Sequence, residues 1–339
     1  MNENGNELDI YFNENYAKLY EKTENGRAEN FHFKSELGEV KNLFLIREIP
    51  IKINGETYYD IVTPYGYGGP VITSLRQGKK DELIQEFNES FLEYCNQKSI
   101  VSEFVRFHPM IGNAKDFSSI YNLSCIRKTL GTNLKDFTEP VKSEFSKSCR
   151  KNIRRALNKG VTYEVVEKPK DIGDFKQIYY STMNRNNATD YYYFNDEYFD
   201  KILSFFPNNI LIVKANYEGK TIAQGLYFIY GKYIHIHLSG TLSKYLKLSP
   251  AYILRYAVTL WGKEKGYHMI HHGGGRTNSE EDGLYKFKKS FAKNTEFDFN
   301  IGKKVWNKEI YIKLCEVSGG IKNSKNYFPA YRYEMSGNK

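Results

Sequence analysis

ILIVKANYEGKTIAQGLYFIYGKYIHIHLSGT, residues 210–241, is the stretch on which the reading of the fold turns. Within it, Ile210–Ala215, Thr221–Tyr230 and Lys232–Thr241 are runs rich in β-branched and aromatic residues, the composition of strands. Their connections carry Glu218-Gly219 and Gly231 and are too short for anything but hairpins. Hairpins require antiparallel neighbours, so a doubly wound parallel sheet is excluded for this region.

Outward from these strands, helix and strand signals alternate. On the C-terminal side, Pro250 sits where the first turn of a helix tolerates proline, and that helix runs to Lys265. Tyr267–His272 reads as a strand ending in Gly273, Gly274 and Gly275. Ser279-x-x-Asp282 is placed to cap a helix over Gly283–Phe291, and Phe297–Ile301 and Trp306–Val317 complete the series. On the N-terminal side, Phe145, Cys149, Ile153, Ala156 and Leu157 recur at helical spacing within Lys142–Lys159, and Gly160 ends that helix. Val161–Val166 reads as a strand, and Ile172–Met183 and Asn195–Phe206 read as helices. The first half is also mixed: an apolar run over Val40–Glu48, strand signals over Ile100–Phe107 and Ser118–Leu130, a hairpin turn at Asn54-Gly55, and a helix over Asp81–Asn96. The pattern predicts an α+β protein with mostly antiparallel sheets. The expected division is an N-terminal domain over 1–145, a second over 146–320, and a tail over 321–339.

The 339 residues suit two domains, and 40% hydrophobic with 26% charged residues is ordinary for a folded chain. Forty-nine Lys and Arg against 40 Asp and Glu leave a formal charge of +9, which favours anionic partners. Cys95, Cys125, Cys149 and Cys315 lie far apart without C-x-x-C spacing, as expected of free thiols. No run approaches the roughly 18 apolar residues of a membrane span, and the N-terminus has no signal-like pattern. A cytoplasmic protein without stable membrane insertion is expected.

The motifs then fall in a recognisable order. Lys151-Asn152-Ile153-Arg154-Arg155-Ala156 with Lys159-Gly160-Val161 resembles an R-x-I-R-x-A-x-K-x-G-V segment. It is followed by Leu238-Ser239-Gly240-Thr241, by Gly262–Tyr267, by His272-Gly273-Gly274-Gly275 and by Leu284–Phe291. The first half adds Pro64-Tyr65-Gly66-Tyr67-Gly68-Gly69-Pro70 and Phe104–Pro109. Over roughly residues 40–317 this series resembles the FemABX-like proteins, tandem-domain relatives of the GCN5-related N-acetyltransferases (GNAT). The resemblance implies two tandem acetyltransferase-like domains, each a mostly antiparallel mixed sheet flanked by helices. It also implies an N-acyltransferase using acyl-CoA (acetyl-CoA) or aminoacyl-tRNA as donor, with no metal. The acceptor would be an amine of an amino sugar, a nucleotide sugar or a cell-envelope precursor, held between the domains. Polysaccharide biosynthesis is one setting for such a transfer, and aminoacyl-tRNA-dependent synthesis of a peptidoglycan bridge is the narrower alternative. DNA is not expected as a partner.

The resemblance sets Phe287 and Lys288 at the reacting carbonyl. A lysine there is chemically suited to stabilise the oxyanion formed when an amine attacks an ester or thioester. A solvated basic helix is the alternative, because Lys286 and Lys289 flank it. His271, His272 and Asp282 are candidates to relay the proton of the attacking ammonium. Gly273, Gly274 and Gly275 would let backbone approach a ligand, and Arg276 suits a phosphate or carboxylate. A turn with a core histidine explains the same residues. His235 and His237 share a strand face, but no acid or cysteine completes a metal-ligand spacing.

Lys244 and Lys247 lie within the stretch Thr241–Ala251, where acetyltransferases carry a glycine-rich pyrophosphate loop; this chain has no glycine there after Gly240. Arg106, Arg150 and Arg154 are candidate anion contacts, and Tyr65 and Tyr67 candidate stacking faces. The basic helix and the missing loop also fit a non-catalytic polyanion-binding module.

Overall fold

A computed structural model describes residues 8–320 and 327–333. Its strands are β1 (Arg27–Ser35), β2 (Gly38–Glu48), β3 (Tyr59–Val62), β4 (Val71–Leu75), β5 (Ile100–Arg106) and β6 (Asn122–Asn133). They continue with β7 (Thr162–Glu167), β8 (Ile210–Tyr217), β9 (Lys220–Tyr230), β10 (Tyr233–Thr241), β11 (Met269–Gly274) and β12 (Glu296–Val305). The helices are α1 (Glu14–Lys18), α2 (Glu21–Glu24), α3 (Lys80–Gln97), α4 (Pro140–Glu144) and α5 (Lys147–Asn158). They continue with α6 (Phe175–Arg185), α7 (Asp196–Phe205), α8 (Pro250–Glu264), α9 (Gly283–Lys289) and α10 (Lys308–Val317).

The chain forms two units, one taking in the residues up to Ile126 together with those from Asp298, the other Arg127–Phe297. This differs from the expected division at 145 and 320. Ile301–Val305 of β12 pairs antiparallel with Arg106–Ser102 of β5, so the last strand and α10 belong with the first unit. Such non-local pairing leaves no mark in local periodicity.

In the first unit β1, β2, β3, β5 and β12 lie in that order, with β4 on β2. Every pairing is antiparallel except β3 with β5. The second unit has the order β6, β11, β10, β9, β8, β7, and there only β10 and β11 run parallel. A parallel pair needs a crossover, and α3 and α8 supply one in each unit. Each unit is therefore a mixed, mostly antiparallel sheet flanked by helices, as expected.

Two local expectations are corrected. The helix anticipated over 142–159 is broken at Phe145, whose ψ of 135° is extended, and Ser146 caps α5 by accepting from Cys149 N. Of the expected tail, residues 321–326 and 334–339 lie outside the described residues, whereas Tyr331 is fully buried in the first unit. Its hydroxyl donates to Asp60 Oδ2 at 3.0 Å and lies 2.7 Å from Ser102 Oγ, and Arg332 also pairs with Asp60.

The first-unit core holds an unusual carboxyl. Glu103 is buried, with Oε1 accepting from Asn42 Nδ2 at 3.1 Å and Oε2 accepting from Tyr121 Oη at 2.9 Å and Trp306 Nε1 at 3.2 Å. Burial raises its pKa to about 7, against the opposing pull of these donors and of Lys304. An acid whose folded pKa is raised contributes stability below its unfolded pKa and loses it as pH rises through the folded value. Asn42 Oδ1 has no partner, so turning that amide over would let it accept from a protonated Glu103 or from a glutamine. Glu103→Gln is expected to match the parent near pH 4.5 and to be more stable by about 2–3 kcal/mol at pH 8. Urea unfolding at both pH values checks this; a variant less stable at pH 8 would refute it.

Candidate active site

The second unit carries its chemistry where β10 and β11 separate. Their parallel register runs from Tyr233↔Met269 to His235↔His271. Just beyond, β10 has an irregularity against β9 between Ile236 and Leu238, and β11 has one against β6 between His271 and Gly273. From there each strand keeps only its outer partner, so the facing edges present backbone groups to whatever lies between them. Gly273 has a φ of +70°, a value that a side chain strongly disfavours. Gly240 is needed for a different reason: a Cβ there would sit 2.4 Å from the carbonyl oxygen of Ile178 on α6.

The ammonium of Lys288 lies against the triple-glycine bend, Nζ donating to the carbonyl of Gly274 at 2.6 Å. The residue is half-buried, but its charged end is desolvated. That burial, reinforced by the nearby Arg255 and Arg127 and opposed by Asp282, brings its pKa down to about 7. Its neighbour Phe287 is also half-buried, with its ring over the Arg255 guanidinium at 5.7 Å from Cζ and against Phe291 at 5.1 Å.

His272 is buried, and its Nε2 lies 2.8 Å from Thr132 Oγ1. The Thr132 hydroxyl donates its proton to the carbonyl of Phe291 at 2.8 Å, so His272 Nε2 carries a hydrogen and Nδ1 presents a lone pair. Nδ1 is buried without a hydrogen-bond partner. Burial, with the charges of Arg255 and Lys288, holds this imidazole well below its usual pKa, and it stays neutral. His271 is buried with its ring 5.8 Å from that of His235. His237 is half-buried, with Nε2 2.7 Å from Tyr198 Oη, and burial lowers its pKa to about 3. Among the described residues no group of three His, Cys, Asp or Glu is arranged to hold a metal.

Other sequence candidates take structural positions. Asp282 is the N-cap of α9, accepting from Tyr285 N at 2.8 Å and from the amides of Arg276 and Thr277 at 3.2 and 3.3 Å. Those amides, that of Tyr285 foremost, hold its carboxyl below the usual range, which makes it a poor proton relay. Gly275 is buried, and a Cβ there would meet Asp282 Oδ1 and Tyr285 Cβ at 2.9 Å, so it admits the cap rather than a ligand. Arg276, Lys244, Lys247 and Arg154 are exposed. Arg150 donates to the carbonyls of Lys142 and Phe145, closing the break between α4 and α5 instead of facing a ligand.

In the first unit, Tyr67 is not a stacking face. It is buried, with its ring 5.2 Å from Tyr11 and 5.1 Å from Phe299. The carbonyl of Tyr65 accepts from Tyr16 Oη at 2.9 Å and its ring lies 5.5 Å from Tyr20. Arg106 donates to the carbonyl of Thr63 at 2.9 Å and covers the ring of Phe104.

The sequence reading passed over Arg255 and Tyr227. Arg255 lies within the apolar run of α8, beside Ile253, Leu254, Ala257 and Val258, all buried. A charge on the inward face of an amphipathic helix was the available signal.

Two divergent parallel strands joined by a crossover helix, with further antiparallel strands outside them, define a GNAT-type domain. The family model for an acetyltransferase (GNAT) domain matches residues 143–289. The UDP-N-acetylmuramoylpentapeptide-lysine N(6)-alanyltransferase of Weissella viridescens is 24% identical over 175 residues, an alignment spanning 51% of each chain. The crystal structure of FemX superposes with a TM-score of 0.70 at 13% identity, covering 91% of this chain and 95% of that one. The C-terminal domain of a putative lysylphosphatidylglycerol synthetase from Agrobacterium fabrum gives 0.55 at 15% identity, covering 96% and 95%. Residues 143–289 thus carry a GNAT domain, and the chain is similar to the FemABX-like proteins of that superfamily. Among the described residues no helix is long and apolar enough to cross a membrane.

Proposed function

We propose that this protein transfers an aminoacyl or acyl group from an activated ester or thioester to the amine of a cell-envelope precursor, with Lys288 at the reacting carbonyl. The observation that carries the reading is the Lys288 ammonium at the parting of β10 and β11, anchored by one hydrogen bond to Gly274 and retaining two further N–H donors. Attack by the amine places negative charge on the carbonyl oxygen, and a preorganised cation in a desolvated site stabilises that charge far better than water does. His272 lends a neutral acceptor at Nδ1.

An aminoacyl ester is the favoured donor. The stretch after β10 is a 3-10 helix over Ser243–Leu248 leading to Ser249, without the glycines that cradle a pyrophosphate. The relative from Weissella viridescens is named for transfer of alanine to a lysine amine, which agrees with this choice. The test is an assay of purified protein with charged tRNA or acetyl-CoA as donor and UDP-N-acetylmuramoyl pentapeptide as acceptor, read by mass spectrometry. Acetyl transfer without aminoacyl transfer reverses the donor, and no transfer from either refutes the reading for this acceptor.

The pH profile tests the role of Lys288. A free acceptor amine becomes more abundant up to its pKa near 10.4, while the Lys288 cation is lost above about 7. The transfer rate is therefore expected to rise with pH to about 7 and then level off. Lys288→Arg keeps a cation at every pH, so its rate should continue rising past 7. An inactive arginine variant with intact fold would instead make the neutral lysine a base.

A further inference from the structure

Arg255 is 4% exposed, and neither its Nε nor its Nη1 has a hydrogen-bond partner. Tyr227 is wholly buried, and its neutral hydroxyl, without a well-formed hydrogen bond, lies close enough to the guanidinium to favour the charge without cancelling it. A guanidinium does not shed its proton under any ordinary condition, so this charge cannot be neutralised in place. Leaving it without a counter-ion in an apolar interior opposes folding. Burial works against the Arg255 charge, and Tyr227 is the neighbour that supports it; no carboxylate acts on it among the described residues. The acid bearing on adjacent Lys288 is Asp282, whose oxygens are taken up by the α9 cap. The site thus holds an excess of buried positive charge with no built-in counter-ion, covered by the face of Phe287.

We propose that Arg255 and Tyr227 form a receptor for a carboxylate on the acceptor, admitted when the Phe287 ring swings aside. The assignment rests on the transferase reading above and narrows its substrate: the acceptor amine belongs to an amino acid or a peptide with a carboxylate near the reacting nitrogen. A carboxylate is favoured over a phosphate by the place of the charge. The charge of Arg255 acts directly on Lys288 and His272, so the anion sits beside the reacting centre. In the activated donors, by contrast, the phosphates are separated from the carbonyl by a pantetheine arm or a terminal ribose.

The experiment uses the full chain with acetate and inorganic phosphate as probes at fixed ionic strength, chloride being the reference ion. Binding is read by calorimetry and thermal shift. Protonation of Lys288 is read by trace amine labelling across pH with mass spectrometry. Acetate is expected to stabilise the protein and to raise the apparent pKa of Lys288 by about one unit, as an opposite charge nearby does. Arg255→Gln should abolish both effects. Should that variant fail to fold, Tyr227→Phe carries the test, with acetate affinity expected to fall about tenfold. Stabilisation by phosphate but not acetate overturns the carboxylate assignment, and equal acetate binding by parent and variants overturns the receptor. Neither readout needs a donor or turnover, so the result is independent of whether transfer is detected.

Discussion

Lys288→Ala is expected to lower the transfer rate by about 10²–10³-fold while leaving the fold intact, the scale for removing one preorganised donor from an oxyanion site. Stability should change little or improve, because the substitution removes a desolvated cation that Arg255 already opposes. The control is at hand on the same helix. Lys286 and Lys289 pair with Glu281 and Glu296 near the surface, and either alanine variant should retain the parent rate. If all three lysines proved equivalent, α9 would be a solvated basic helix and the mechanism would be lost. Single-turnover rates with saturating donor, together with thermal midpoints for each variant, distinguish these results.

Glu144→Ala is expected to destabilise the protein by about 3 kcal/mol or more, the largest effect anticipated away from the chemistry. The side chain is fully buried in the second unit. Its Oε1 accepts from Asn133 N at 3.3 Å and from the Thr295 hydroxyl, and its Oε2 accepts from Asn294 N at 2.9 Å. One carboxylate thereby satisfies the end of β6 and the turn that leads into β12. Alanine would strand two main-chain donors away from water and leave a cavity between them. Glu144→Gln keeps one oxygen but turns an amide nitrogen toward a donor, so it should fall between parent and alanine. Equilibrium unfolding in urea measures both, and a loss under 1 kcal/mol for alanine would refute the account.

How far such features were legible depends on the distance over which they are encoded. The three strands of residues 210–241, the proline-started helix after them and the glycine bend all appear where local pattern places them. The start of α9 was also readable from Ser279-x-x-Asp282, but Asp282 itself is the N-cap, bonding to Tyr285, while the Ser279 hydroxyl accepts from Glu281 N. Lys288 was found through a motif resemblance; its basic neighbours alone would have left it one of several surface lysines. The misreadings share a cause. Tyr67 is an aromatic residue in a glycine loop, which describes a stacking face as well as it describes the cluster that Tyr11 and Phe299 complete. Arg150 looked like one more cation on a wet helix face, although it closes the break at Phe145. Glu144 drew no notice, since a single acid at the end of a short helix has no periodic signature.

The amino-acid order, through the two- and roughly four-residue rhythms of its apolar side chains and its turn residues, determined which segments are strands and helices and hence the α+β class. Tertiary structure alone decided that β12 belongs with β5, that β10 and β11 part after His235 and His271, and that Arg255, Tyr227, His272 and Lys288 meet. The physical reason is one of range. Backbone preference and hairpin geometry act between near neighbours, whereas desolvation and the pairing of charges depend on which distant segments the core brings together.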